Sequence, residues 1–380
     1  MAMDGAIPRR WLGEVAPIRH LDPVLIAVSI GLTVYGLLMV YSASHQALQT
    51  LGEEAGFYLT KQLAFMMLGL IVLVLAAVFD YRLVKVYAPI VFGAVAFLLF
   101  LVLTPLGSET AGAQRWITLF GFQFQPSEVA KVALVAMLAA YLSEIRGPMR
   151  LEHVWRAAGF ALIPMVLVVL QPDIGTSMVF AVVLLAMLVV AGAKAKYIGV
   201  LALAAAVALF AAFRLGVVQE YQIARLTGFL DPANDPLRAG YNRAQAEIAI
   251  GAGGIRGTGY LSGSQTNLDF VPEQHTDFIF TVVGEEFGFL GAILLLSMYG
   301  VLLWRGFRVA MLSRDTFGSL MALGIVTMLA FQIFVNVGMT IGIMPITGIP
   351  LPFLSYGGTA LITNFLGVGL LLNIHMRRFK

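Results

Sequence analysis

From Leu21 onward the chain runs in long apolar blocks separated by short polar breaks. The blocks fall near residues 21–43, 59–79, 84–104, 127–143, 157–170, 175–192, 197–213, 277–303, 317–342 and 357–375. A helix of about 20 apolar residues crosses the hydrocarbon core of a bilayer, so each block reads as one span. No polar block is large enough to build a soluble core of its own. The predicted fold class is all-α, a polytopic integral membrane protein with about ten transmembrane helices. Residues 1–20 are polar, contain Arg9, Arg10 and Arg19, and lack an apolar h-region, so a cytoplasmic tail and no cleaved signal peptide are expected. Residues 21–380 are expected to form a single membrane domain, with a long extracytoplasmic loop at 214–276 between spans seven and eight.

Composition supports this class: 59% of residues are hydrophobic and only 12% charged, against about 25% charged in soluble domains. The absence of cysteine excludes disulfides and thiolate metal sites. No basic block resembles a nucleic-acid site, so a nucleic-acid partner is not expected. Charge also orients the spans. With the N-terminus in the cytoplasm, the arginines and lysines at 82, 85, 146, 150, 156, 194, 196, 305, 308, 314, 377, 378 and 380 join those of the tail on the inside. Lys61, Arg115 and the arginines of the long loop fall outside. The positive-inside rule therefore predicts both termini in the cytoplasm.

Three external segments and one span carry the candidate chemistry. At the start of the fourth span Glu128 and Lys131 are three residues apart, which puts them on one helix face as a cavity pair or a structural ion pair. Asp173, between Pro172 and Gly175, is placed to cap the sixth span or to line a polar site. Arg115 and Trp116 combine a guanidinium fork suited to phosphate with an interfacial aromatic, which is often only an anchor. Lys61 reads as a snorkelling side chain. In the long loop, segments 221–230 and 241–250 have helical spacing and are expected to lie on the membrane surface. The glycines at 251, 253, 254, 257 and 259 fit neither phosphate-loop spacing and predict a flexible turn, on which Arg256 could meet an anionic headgroup. The Pro- and Gly-rich segment 345–358 cannot continue a helix and is expected to re-enter or cap a cavity, since bare backbone is not tolerated facing lipid.

The densest cluster is 271–288, where Glu273, His275, Asp277, Glu285 and Glu286 sit at the mouth of an apolar span. An ionisable group inside a membrane costs roughly 2.5–3.5 kcal/mol on insertion scales, which makes it a functional candidate. Thr276 is predicted as an N-cap with Asp277 in the first helical turn. Helical spacing aligns Asp277 with Thr281, Gly284 and Gly288, and Glu285 lies beside that stripe. The plain alternative is that Asp277 caps a helix and Glu285 pairs with a neighbour.

Taken together, the runs 271–288, Gly112 to Ile117, Gln125 to Lys131, Gln171 to Thr176 and Gly348 to Gly358 resemble the SEDS family (shape, elongation, division and sporulation). The resemblance covers the membrane region in order. Segments 264–270 and 336–340 are similar to its elongation member, with the division member the near alternative. It implies a glycosyltransferase that polymerises lipid II outside the cytoplasmic membrane beside a class B penicillin-binding protein and membrane lipids. Asp277 would be catalytic, as general base of an inverting transfer. Glu128, Lys131, Glu285, Arg115, Trp116, Asp173, Arg256 and Lys61 would be substrate or cavity residues. A divalent cation, Mg or Mn, could assist the pyrophosphate leaving group. Two other classes compete: a transporter that flips a lipid-linked precursor, and a non-catalytic scaffold for the penicillin-binding protein.

Overall fold

The structure is a computed structural model that describes residues 20–110, 113–119, 121–214, 239–268 and 270–379. Residues 1–19 of the predicted tail, the loop helix expected at 221–230 and Gly112 lie outside the described residues. Ten long helices match the ten apolar blocks: α1 (Pro23–Thr50), α2 (Phe57–Val78), α3 (Tyr81–Val102), α4 (Pro126–Ser143), α5 (Leu151–Leu170), α6 (Ile174–Val190), α7 (Ala195–Arg214), then α10 (Ile279–Leu312), α11 (Thr316–Thr340) and α12 (Gly358–Met376). Eight of them are long and apolar enough to cross a membrane, and α6 and part of α7 are shorter apolar helices. The chain is an integral membrane protein.

Burial separates the helices by position. In α4, α11 and α12 most of the apolar window is buried inside the protein, whereas in α2 and α3 less than a quarter is. The first set forms the centre of the bundle and the second faces outward. One hydrophobic cluster runs through the bundle from Leu25 of α1 to Met376 of α12. Small residues let backbones approach: a Cβ at Gly324 would lie 2.6 Å from Val135 Cγ1, which sets α11 against α4.

Between α3 and α4 the chain forms a small antiparallel sheet, β1 (Ser108–Thr110), β2 (Ala113–Leu119) and β3 (Phe122–Phe124), in the order β1-β2-β3. Periodicity did not predict it, because strands of this length leave too few alternations to read. Two further helices, α8 (Ala239–Gly253) and α9 (Ser264–Asn267), complete the described part of the long loop. The segment expected to lie on a membrane surface forms α8, one side of which docks on the protein. Its Ala246 and Ala249 are buried with Val271 and Phe278, and a Cβ at Gly253 would lie 1.9 Å from the Gly284 carbonyl oxygen.

The element α10 would be about 50 Å long if straight. It is broken at Gly288, whose φ of 62° and ψ of −157° are not helical. The glycine-rich segment after α8 fills the break. Phe289 and Leu290 N–H groups donate to the Gly254 and Ile255 carbonyls at 2.9 and 3.1 Å, while Thr258 and Gly259 N–H groups donate to the Glu285 and Glu286 carbonyls at 3.0 Å. The expected flexible turn is thus a fixed splint. Two of its glycines are required by contact: a Cβ on Gly253 would meet the Gly284 carbonyl oxygen, and one on Gly257, which has φ +81°, would lie 2.0 Å from the Glu286 carbonyl oxygen.

The segment between α11 and α12 re-enters, as expected. Leu351, Phe353 and Leu354 are buried, and Gly36, in the middle of α1, could not carry a Cβ without meeting the Phe353 and Leu354 carbonyls at 2.7 Å. Polar partners satisfy the non-helical backbone, as a membrane interior demands. Tyr299 Oη donates to Pro352 O at 2.6 Å, Leu351 N–H to Ser355 Oγ at 2.8 Å, and Gln62 Nε2 to Ser355 O at 3.1 Å.

Candidate functional site

The re-entrant segment brings the candidates together. Asp277 lies in a turn that precedes α10, since the helix begins at Ile279 with Phe278 at its N-cap position. This corrects the predicted first-turn placement. Thr276 is no cap: its hydroxyl donates back to the Glu273 carbonyl at 3.1 Å. The turn closes on that same carbonyl, which accepts the Asp277 N–H at 3.0 Å, and Glu273 adopts φ +53°. A positive φ is uncommon for a residue with a Cβ and is held here by the surrounding contacts. A local helix signal could not anticipate that the last polar residues would be drawn off into a tertiary turn.

Asn336 of α11 fixes this turn to the re-entrant segment. Its Nδ2 donates at 2.8 Å to both the Asp277 carbonyl and the Ile349 carbonyl. The carboxylate of Asp277 faces Gly348, where φ is +73° and a Cβ would stand 3.2 Å from Oδ2. On the other side of the same strip, a Cβ at Gly175 would meet Ile349 Cγ1 at 2.7 Å and the Thr347 carbonyl at 2.8 Å. The strip 347–349 therefore separates the Asp277 turn from the start of α6. There Asp173 caps α6 as predicted, accepting from Thr176 N–H at 3.1 Å and its hydroxyl at 2.8 Å. Arg115 of β2 reaches over this corner, donating from Nε to the Gln171 carbonyl at 3.1 Å and from Nη2 to the Pro172 carbonyl. His275 lies tilted against both Tyr58 and Tyr356 with centroids 4.7 and 5.8 Å away, and its carbonyl accepts the Tyr356 N–H at 2.9 Å.

Glu128 and Lys131 form the predicted i,i+3 pair, 2.7 Å apart with both side chains 2% exposed. In so dry a place, breaking the pair is far costlier than the pair itself is stabilising. Glu128 Oε2 has no partner. Antiparallel packing of Gly324 against Val135 puts Gln332, one turn before Asn336, about level with Glu128. Gln332 Oε1, Asn336 Oδ1, Gln171 Oε1 and Ser127 Oγ are likewise buried and unpartnered. Each such group costs about 1–3 kcal/mol unless a polar partner meets it. Their concentration at this end of the bundle marks where a polar substrate has something to bind. Sequence reasoning passed over Gln332 and treated Asn336 only as part of a motif, although a buried amide in an apolar span is itself a signal.

The other candidates stand apart. Lys61 is exposed on α2, with its ammonium 4.0 Å from the Phe57 ring centroid. Trp116 is half-buried on β2, its carbonyl accepting from Ser108 Oγ at 3.2 Å. Arg256 is exposed on the splint beside the α10 break. Glu285 is fully buried but is engaged by α9, its two oxygens accepting the Gln265 and Thr266 N–H groups at 2.7 and 2.9 Å. Among the described residues no group of three or more His, Asp or Glu is gathered to hold a metal.

Fold and site together define a polytopic membrane protein with a carboxylate-bearing site built around a re-entrant segment at one end of its bundle. The chain belongs to the cell cycle protein family of FtsW, RodA and SpoVE, which matches residues 23–380, and this agrees with the SEDS resemblance. It is 39% identical over 363 residues to the peptidoglycan glycosyltransferase MrdB of Escherichia coli, covering 94% of each chain. It is 37% identical over 364 residues to FtsW of Geobacter metallireducens, described as a probable peptidoglycan glycosyltransferase, covering 95% of this chain and 96% of that one. Among solved structures it resembles a chain from a study of the coordination of polymerization and crosslinking by a peptidoglycan synthase complex, with TM-score 0.79, 32% identity and coverage of 95% and 99%. Rod shape determining protein RodA of Thermus thermophilus follows with TM-score 0.69, 29% identity and coverage of 95% and 98%.

Proposed function

We propose that this chain is a peptidoglycan glycosyltransferase that polymerises lipid II, in the elongation role that builds rod shape, with Asp277 as its general base. The observation that carries the reading is the Asp277 carboxylate, held against Gly348 by the Asn336 bridge within a full-length family match. The site opens on the outer face of the cytoplasmic membrane, both termini lie in the cytoplasm, and a class B penicillin-binding protein is the partner. The charge distribution supports this orientation.

In the reaction, Asp277 removes the proton from the acceptor sugar's 4-hydroxyl as that oxygen attacks the anomeric carbon of the donor. The bond to the lipid pyrophosphate breaks, and an α linkage becomes β in one inverting step. The leaving group is already anionic and needs cationic neighbours more than an acid. Lys131 and Arg115 supply positive charge around the re-entrant strip. Arg115 retains donors beyond the two that grip the Gln171 and Pro172 carbonyls. Any Mg or Mn that takes part would travel with the pyrophosphate, and no step is assigned to it.

A broken helix beside a re-entrant segment is also how transporters build substrate sites, from the free backbone groups at the break. Here those groups are occupied: the carbonyls of Glu285 and Glu286 and the N–H groups of Phe289 and Leu290 all bond the splint. The break is therefore plugged, which favours the polymerase.

The test is polymerisation of labelled lipid II by the purified protein with its penicillin-binding partner. Wild type makes glycan strands, and Asp277→Asn loses about 10²- to 10⁴-fold in rate while still binding lipid II. Equal polymer from both proteins removes Asp277 from its role, and headgroup translocation in liposomes by the protein alone restores the transporter.

A further inference from the structure

Glu285 lies eight residues beyond Asp277, about two helical turns deeper in the bundle, and is completely buried. An ionised carboxylate there requires compensation. Its carboxylate accepts from donors of the loop: Gln265 N–H at 2.7 Å, Thr266 N–H at 2.9 Å, Thr266 Oγ1 at 2.7 Å and Ser264 Oγ at 3.4 Å. A Cβ at Gly263 would stand 2.7 Å from Glu285 Oε2, so the loop backbone is drawn onto the carboxylate. The start of α9 is thus anchored on α10 by the Glu285 carboxyl group, which accepts from two of its backbone N–H groups.

From this anchor a continuous set of bonds leads to the catalytic turn. Gln274 Nε2 donates to the Thr266 carbonyl at 2.8 Å and to the Ala43 carbonyl of α1 at 3.0 Å. The turn closes one residue earlier, on the Glu273 carbonyl that receives the Asp277 N–H. On its inner side Val271 and Phe278 pack on Ala246 and Ala249 of α8. The position of Asp277 over Gly348 is therefore held from two sides, by the Asn336 bridge and by the brace that runs from Glu285 through Thr266 and Gln274.

We propose that Glu285 is a positioning residue for the glycosyl transfer. It acts through Thr266 and Gln274 to hold the Asp277 carboxylate at its working position, and does not touch the sugar or the pyrophosphate. This rests on the reading of Asp277 as the base. A displacement of about 1 Å costs on the order of 100-fold in rate, so loosening the brace lowers turnover while leaving substrate affinity alone.

The experiment compares Glu285→Gln, Thr266→Val, Gly263→Ala and the double variant of the first two, each in complex with the penicillin-binding partner and supplied with lipid II. Each single variant is expected to lower kcat roughly 10- to 100-fold with KM within about twofold. The double variant is expected to be no worse than Glu285→Gln alone, because both substitutions cut one path. Amide hydrogen exchange is expected to rise in 264–277 and nowhere else. A rise in KM at unchanged kcat, additive losses, or exchange unchanged in that segment overturns the brace. Should Glu285→Gln fail to fold, Thr266→Val and Gly263→Ala decide, since wild-type kcat in both overturns it equally. Absence of polymer from wild type would instead overturn the polymerase reading.

Discussion

The two ends of the helix bundle are built on opposite principles. At the end where α1 begins and α12 stops, polar groups are matched to one another. Asp22 caps α1 through the Val24 and Leu25 N–H groups at 3.1 Å and meets Arg305 of α10 in a two-pronged pair at 2.6 and 2.8 Å. Asn373 donates to the Ala76, Ala77 and Phe79 carbonyls and accepts from the Tyr81 N–H, which locks the α2–α3 turn. Arg377 adds Asp80 at 3.2 Å and the Val78 carbonyl at 2.8 Å. At the Asp277 end, by contrast, buried acceptors on Glu128, Gln171, Gln332 and Asn336 are left unpartnered. The first end is largely completed by the protein itself, with Arg378 Nε and Tyr141 Oη left unpartnered near it, whereas the unpartnered acceptors gather at the other. The lesson is that unmatched polar groups locate function where mere polarity does not.

The comparison can be broken most severely at Lys131. Replacing it with Met leaves the buried Glu128 without its partner, and is expected to destabilise the protein by about 3–5 kcal/mol. Denaturation in detergent reads this directly. The double variant Glu128→Gln with Lys131→Met should recover most of the stability and none of the polymerisation, whereas a double variant that polymerises would make the pair purely structural. At the closed end, Asn373→Ala strands several turn groups and is expected to cost about 2–3 kcal/mol, while the turnover of the surviving folded protein stays near wild type. A turnover loss larger than the loss of folded protein would show that the two ends are coupled.

Gly348→Ala sharpens the open end. Its φ of +73° and the 3.2 Å approach to Asp277 Oδ2 predict about 1 kcal/mol of backbone strain and a rate loss on the order of 10-fold in the lipid II assay. The smallest effect is on pH. Burial pushes the Asp22 carboxyl up, but the hydrogen bonds from Arg305 and the Leu25 N–H, together with the Arg305 charge, outweigh it and hold the group below its ordinary value of 3.8. A depressed carboxyl contributes stability that is full above the unfolded value and is lost as pH falls through the folded one. Wild type should therefore lose stability in acid below about pH 4 by a margin that Asp22→Asn lacks, measured as the difference in their melting curves between pH 3 and 6.

How much was legible beforehand depends on the range of the interaction. The ten apolar helices, eight of them long enough to cross a membrane, the Glu128–Lys131 pair and the Asp173 cap were all readable, because each is set by residues near one another along the chain. The re-entry of 345–358 was readable too, since Pro and Gly exclude a helix and lipid excludes bare backbone. The turn that takes Asp277 out of α10 was not readable, because Asn336, 59 residues away, holds it there. Nor was the fate of the glycine-rich segment. Its spacing is compatible with a loose turn, and only its contact with the break at Gly288 makes it a splint.

The sequence by itself thus marked out the apolar segments of an integral membrane protein and the side chains that are too costly to be there without purpose. The tertiary structure alone decided which of those side chains face one another. It put Asp277 against Gly348, turned Glu285 toward α9 rather than toward the strip, and left Arg256 and Lys61 outside. The physical reason is that periodicity and hydropathy act along the chain, whereas the partner of a buried charge is chosen by which distant backbone groups still lack one.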